Sequence, residues 1–135
     1  MTKDFDRWNK HKKNIHTRSE PPFYHKREIW WCAVGVNVGN EIDGTGNVHD
    51  RPVLILRGFN AQTFLGVCLI GRRRSGKYYV PVGAVGNRQA TANLSQVRIL
   101  DTKRLIRKMT TLDETIFLNV ARKAAIALFS SLRLK

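Results

Sequence analysis

The chain has 135 residues, 42% of them hydrophobic, and a formal net charge of +14 from 24 basic and 10 acidic side chains. That length suits one domain with its own core and a short appendage, and the apolar content argues against wholesale disorder. A balance so lopsided favours a polyanionic partner: nucleic acid first, then an acidic protein segment, with a membrane surface less favoured.

Residues 3–16 place Phe5, Trp8, His11 with Lys12, and Ile15 at spacings of three and four, which predicts a short amphipathic helix packed on the body. Ser19-Glu20-Pro21-Pro22 breaks it, so residues 1–26 read as a helical extension and linker, and residues 27–135 as the main domain. Glu28 to Val34 is β-branched and aromatic, hence a strand, and a Gly- and Asn-rich loop follows from Gly35 to Asp50. Pro52-Val53-Leu54-Ile55-Leu56 is a continuous apolar run, the pattern of a strand buried on both faces. Pro52 belongs at its start, because proline cannot donate to a ladder.

Thr63–Ile70 and Tyr78–Val82 are further strands, joined by the basic tip Gly71 to Lys77. A turn at Gly86-Asn87 leads into Ala90–Leu100, where alternation leaves neither face cleanly apolar. A short turn from Asp101 to Arg104 precedes Leu105 to Met109. Thr111-Leu112-Asp113-Glu114 has capping-box spacing and opens a helix with Phe117, Val120, Ala121, Ala124 and Leu128 on one face; Arg133 and Lys135 sit at its electrostatically favourable end. Short strands closed by a helix give an α+β class built on a small β-barrel.

The two cysteines, Cys32 and Cys68, lie among apolar residues without CxxC spacing and read as buried thiols of a reducing compartment. The polar N-terminus carries no signal-peptide pattern, and Asn119, Arg122 and Lys123 interrupt the C-terminal apolar stretch, which argues against a membrane span. The expected location is cytoplasmic.

The sharpest signal is an asymmetry of charge. From Arg51 to Leu100 there is no aspartate or glutamate, yet there are eight arginines and lysines. Such a block describes a surface for phosphate that has no carboxylate of its own. Within it, Gly71-Arg72-Arg73-Arg74-Ser75-Gly76-Lys77 nearly matches a Walker A loop. Tyr78 stands where magnesium needs Ser or Thr, and a strand follows where the phosphate cradle needs a helix, so nucleotide hydrolysis is disfavoured. The segment reads instead as a hairpin tip whose basic side chains meet a phosphodiester backbone, or as a solvated turn.

His11, His16, His25 and His49 have no metal-site spacing, so no metal or cofactor is expected. Nuclease chemistry would then use the RNA 2′-hydroxyl as internal nucleophile. That reaction needs a base, a cation for the phosphorane charge and an acid for the leaving 5′-oxygen. The loop from Asn37 to Gly44, with His49-Asp50-Arg51 after it, supplies Glu41, Asp43 or His49 as base and Arg51 as a bidentate phosphate clamp. A plainer reading pairs Glu41 with Arg51 to shape the loop.

Arg27-Glu28-Ile29-Trp30-Trp31, Gly39-Asn40-Glu41 and Arg51-Pro52-Val53-Leu54-Ile55-Leu56 resemble, in order, the opening strand, first loop and second strand of the MazF/PemK toxins. Leu94 to Leu105 resembles that family's late-strand signature, and the resemblance runs from Arg27 to about Ala127. It implies an SH3-like barrel (MazF/PemK/CcdB-like) and a type II toxin–antitoxin system toxin. Such proteins are usually homodimers that cut single-stranded RNA without metal, as mRNA interferases, and are neutralised by a cognate antitoxin, expected here to be short and acidic. Arg51 falls on the family's catalytic arginine and Glu41 on the acidic residue of its first loop.

Candidate RNA contacts are Arg72, Arg73, Arg74, Lys77, Thr91, Asn93, Ser95, Gln96 and Arg98. The chain departs from the family at Ile70-Gly71, where many members carry Thr or Ser. It departs also at Asn40, a catalytic histidine in some, and at Asn93 and Ser95, an arginine and an aspartate in others. Ser75 or Thr91 is a candidate substitute hydroxyl. These departures leave room for a catalytically degenerate barrel that binds RNA or protein without cutting. A toxin directed at a protein is the third reading, since a relative with the same barrel acts on DNA gyrase.

Overall fold

Six strands carry the fold in the computed structural model, which describes residues 2–130: β1 (Glu28–Ala33), β2 (Asp50–Gly58), β3 (Thr63–Ile70), β4 (Tyr79–Val85), β5 (Arg88–Asp101) and β6 (Leu105–Thr111). Helix α1 (Phe5–His16) precedes them and α2 (Glu114–Phe129) follows; Arg133 and Lys135 lie outside the described residues. All pairings are antiparallel, in the order β4-β5-β3-β2-β1-β6. The sheet curls, because Met109 of β6 packs on the same apolar cluster as Val82 and Val85 of β4 at the opposite edge.

The apolar run in β2 is buried on both sides, as its composition predicts. Leu54 joins Ile29, Val67 and Val80 beneath Phe117, Val120 and Ala124 of α2, while Val53 and Ile55 join Trp30, Phe64, Cys68 and Leu100 on the other face. Each Val, Leu, Ile or Phe side chain among them that is fully withdrawn from water contributes roughly 1.5–3 kcal/mol. Cys32 and Cys68 are both free and buried in that second cluster.

β4 runs on to Val85, β5 begins at Arg88 and β6 ends at Thr111, each extending beyond the sequence reading, and two further differences have a clear physical cause. Pro52 is the third residue of β2 and pairs with Trp31, but pairing to β3 starts only at Val53↔Cys68, so on that side the ladder begins beyond the proline. Thr111 does not cap α2, because it is taken up as the last residue of β6, opposite Glu28. Asp113 is the cap instead, its carboxylate accepting from the Thr115 and Ile116 amides at 3.0 and 3.3 Å, an arrangement worth about 1 kcal/mol.

The poor alternation in β5 has a structural cause. Val97 pairs with Val67 and Ala92 with Leu69, so two steps along β3 correspond to five along β5, and Asn93 to Gln96 bulge out of register. Asn93 Oδ1 holds the bulge by accepting from the Ser95 amide and hydroxyl at 3.2 and 2.7 Å.

Helix α1 packs on the body as its stripe predicts, with Trp8 and Ile15 buried against Ala33 and Val36, although Phe5 remains half exposed. The Arg18 guanidinium donates to the Lys103 carbonyl at 2.9 Å, and Lys103 returns a bond to His16 at 3.1 Å. Gly35 makes the docking possible: it has φ +82°, and a Cβ there would lie 2.2 Å from the Trp8 indole.

Candidate nucleic-acid cleft

Where β2 and β4 begin and β3 ends, the sheet opens into a cleft of about 730 Å³. Arg51 reaches it from the start of β2, Arg72 and Arg74 from the β3–β4 tip, and Tyr79 from the start of β4. Asn93 and Gln96 enter because the β5 bulge pushes them out of register, and Asn40 and Ile42 come from the first loop. The lining contains three guanidinium groups and no carboxylate, histidine or thiol. The acid-free stretch from Arg51 to Leu100 therefore supplies most of its walls.

The first loop is shaped by its own polar groups. Asp43 accepts from the Asn37 amide at 2.7 Å, and the Asn37 side chain donates to the Val34 and Ile42 carbonyls at 3.1 and 2.8 Å. Gln96 Oε1 accepts from the Ile42 amide at 3.0 Å and so ties the loop to the β5 bulge. The Asp43 carbonyl accepts from Arg51 Nε at 2.8 Å. One edge of the guanidinium is thus fixed, while its two terminal nitrogens make no protein hydrogen bond and no ion pair among the described residues. A half-buried, oriented fork with two free donors fits a phosphoryl group.

The other sequence candidates scatter. Glu41 does not pair with Arg51; it is exposed, does not line the cleft, and its Oε1 accepts from the Val38 amide at 2.9 Å. His49 adopts φ 52° and packs edge-to-face on Trp8, ring centroids 5.7 Å apart, with its Nδ1 buried and unpartnered. Arg73, Ser75 and Thr91 line an adjoining cleft of about 570 Å³ that shares Arg74 with the first, and Thr91 is only 2% exposed. Lys77 lies over the Tyr78 ring at 5.0 Å, and Ser95 is spent on the bulge. Arg98 is half-buried opposite Gly66 and lines neither cleft. Burial pushes the Cys68 thiol up to about 11, with the Arg98 and Arg51 charges opposing.

Tyr79 was not singled out by the sequence, yet its half-exposed ring stands in the cleft beside Arg72 and Arg74. Its position in the Tyr78-Tyr79 pair that follows the basic tip was the available signal, since interleaved aromatic and basic residues suit base stacking.

A curled antiparallel sheet with a basic cleft at one end defines a small barrel with a surface suited to anions. The family described as "PemK-like, MazF-like toxin of type II toxin-antitoxin system" matches residues 25–128, and the chain belongs to that family. MazF from Deinococcus radiodurans is similar in fold (TM-score 0.63, 17% identity, 82% of this chain and 98% of that one). So are the Mycobacterium tuberculosis toxin MazF-mt6 (0.59, 18%, 80% and 100%) and a mycobacterial endoribonuclease solved with its cognate antitoxin (0.60, 15%, 84% and 100%). No curated protein sequence matches the chain.

Proposed function

We propose that the protein is a toxin endoribonuclease that cleaves single-stranded RNA by attack of a ribose 2′-hydroxyl on the adjacent phosphate, with no metal required. The observation that carries this reading is Arg51: Nε held by the Asp43 carbonyl, terminal nitrogens free, in a cleft whose other charges are all positive. There the guanidinium would stabilise the charge that develops on the phosphorane oxygens. Arg72 and Arg74 hold flanking phosphates, and Tyr79 offers a face to a base. Glu41 is the better-placed base, because its neighbours Asn40 and Ile42 line the cleft whereas His49 is packed on Trp8.

Purified protein is expected to nick single-stranded RNA in EDTA and to leave 2′,3′-cyclic phosphate ends. Linear 3′-phosphate or 3′-hydroxyl products formed directly would contradict internal attack. The homodimer and a short acidic antitoxin are proposed with the function, since a mycobacterial relative is solved with its antitoxin and this cleft is cationic. Co-purification with a co-expressed acidic neighbour tests the partner.

One observation favours a second reading: the cleft lining itself contains no carboxylate or histidine to take the proton. A barrel that grips RNA without cutting it would bind with steep salt dependence and yield no product.

A further inference from the structure

The family match begins at residue 25, so α1 and the residues before it lie outside the matched barrel. They nevertheless reach the cleft loop. The Lys3 ammonium donates to the Asn37 carbonyl at 2.6 Å and to the Gly39 carbonyl at 2.8 Å, and it pairs with the Asp43 carboxylate at 3.1 Å. The same Asp43 carboxylate accepts from the Asn37 amide, and the Asp43 carbonyl holds Arg51 Nε. One cation from the N-terminal segment thus gathers three acceptors of the loop, and the residue at their centre orients the guanidinium.

The segment has an anchor of its own. Trp8, 5% exposed, is seated over Gly35 at the root of the loop, and Asp4 caps α1 by accepting from the Arg7 amide at 3.0 Å. Arg7 also reaches the far limb of the loop, donating to Asn47 at 3.2 Å. Lys3 therefore projects from a fixed helix start rather than from a free end. Its side chain and that of Asp43 are both only about a quarter to a third exposed. A pair of this kind adds little to global stability but fixes the groups it joins.

We propose that Lys3 is a positioning residue for Arg51, and that the N-terminal segment is an intramolecular brace setting the cleft loop. The proposal rests on the ribonuclease reading for its kinetic consequence but not for its structural one. In the reaction, the brace holds the Asp43 carbonyl where it keeps the guanidinium edge aligned. Without Lys3 the Asp43 carboxylate loses its cation, and the loop carbonyls of Asn37 and Gly39 turn to solvent. Arg51 then samples orientations in which its two free nitrogens miss the phosphate. A misplacement on the scale of an ångström carries a rate penalty on the order of a hundredfold, and partial loosening a smaller one.

The test compares full-length Lys3→Ala, Lys3→Arg and Lys10→Ala. Lys10 is exposed on α1, within the same N-terminal segment, and makes none of these contacts, so it controls for loss of one positive charge. Lys3→Ala is expected to lower kcat by about tenfold with KM changed less than about threefold. Lys3→Arg should restore most of the rate, and Lys10→Ala should match wild type. Independently of cleavage, the Arg51 Nε–H resonance should be resolved and slowly exchanging in wild type, and should broaden or exchange faster in Lys3→Ala. An unchanged Nε–H signal in Lys3→Ala overturns the brace whatever the enzymology. Equal loss in Lys3→Ala and Lys10→Ala also overturns it, by reducing Lys3 to bulk charge. If wild type cuts no RNA, the ribonuclease reading fails, and the Nε–H comparison alone still decides the brace.

Discussion

The loop wall of the cleft, residues 37–43, is tied at five points by Lys3, Asn37, Asp43, Gln96 and Arg51. The opposite wall, the tip from Gly71 to Lys77, is exposed along its whole length; its backbone tie is the Tyr79 amide to the Gly76 carbonyl at 3.2 Å. Its arginines make no side-chain hydrogen bond or ion pair among the described residues. The difference separates two tasks that charge alone would merge. A group that stabilises a transition state must be held before the substrate arrives, whereas groups that gather phosphates can settle on arrival. Arg51 sits on the rigid side and Arg72 and Arg74 on the adaptable side.

The comparison breaks first at Arg51. Arg51→Ala is expected to reduce cleavage by roughly 10²–10³-fold, the usual cost of a transition-state donor, with little change in affinity for a non-cleavable RNA. Next comes the rigid wall itself. Gly35→Ala places a methyl into the Trp8 ring at a left-handed backbone position, and should destabilise the protein by about 1–3 kcal/mol in denaturant unfolding. Smaller effects are expected on the tip, where Arg72→Ala and Arg74→Ala should each weaken RNA binding uniformly across sequences. Each should also flatten the slope of log K against log salt by about 0.7 for every phosphate no longer neutralised. A tip variant that altered the cleavage rate at saturating RNA would erase the proposed division.

The smallest effect concerns pH. Burial first, then the Arg18 and His49 charges, push the His11 imidazole below its ordinary value, against a smaller upward pull from Asp50. Its neutral form is therefore favoured when folded. The stabilisation is complete above the unfolded value of about 6.5 and is lost as pH falls from there through the lowered folded value. Thermal unfolding between pH 7.5 and 5.5 should show a steeper decline for wild type than for His11→Gln.

Much of this was written in local pattern. The both-faces burial of β2 follows from the aliphatic run Val53 to Leu56, and docking of α1 follows from the spacing of Trp8 and Ile15. The cleft's sign was legible because a fifty-residue stretch without acids can supply only cationic or neutral walls. Three things were not legible, each for a physical reason. Thr111 has cap chemistry, but pairing with Glu28 across the sheet claims it first, and such pairing is long-range. Glu41 and Arg51 are charge partners in sequence, yet the loop turns Glu41 onto its own Val38 amide and offers Arg51 a carbonyl. Tyr79 reaches the cleft as the first residue of β4, set opposite Asn93 of the β5 bulge by cross-strand pairing, which local sequence does not reveal.

Single-turnover cleavage at saturating RNA, comparing Arg51→Ala with the double variant Arg72→Ala/Arg74→Ala, tests the division between the two walls most directly. Saturation is expected to restore a near-wild-type rate to the double variant, while Arg51→Ala stays at least about a hundredfold slow. Recovery of both rates at saturation would contradict the division, because Arg51 would then be one more phosphate ligand in a binding groove.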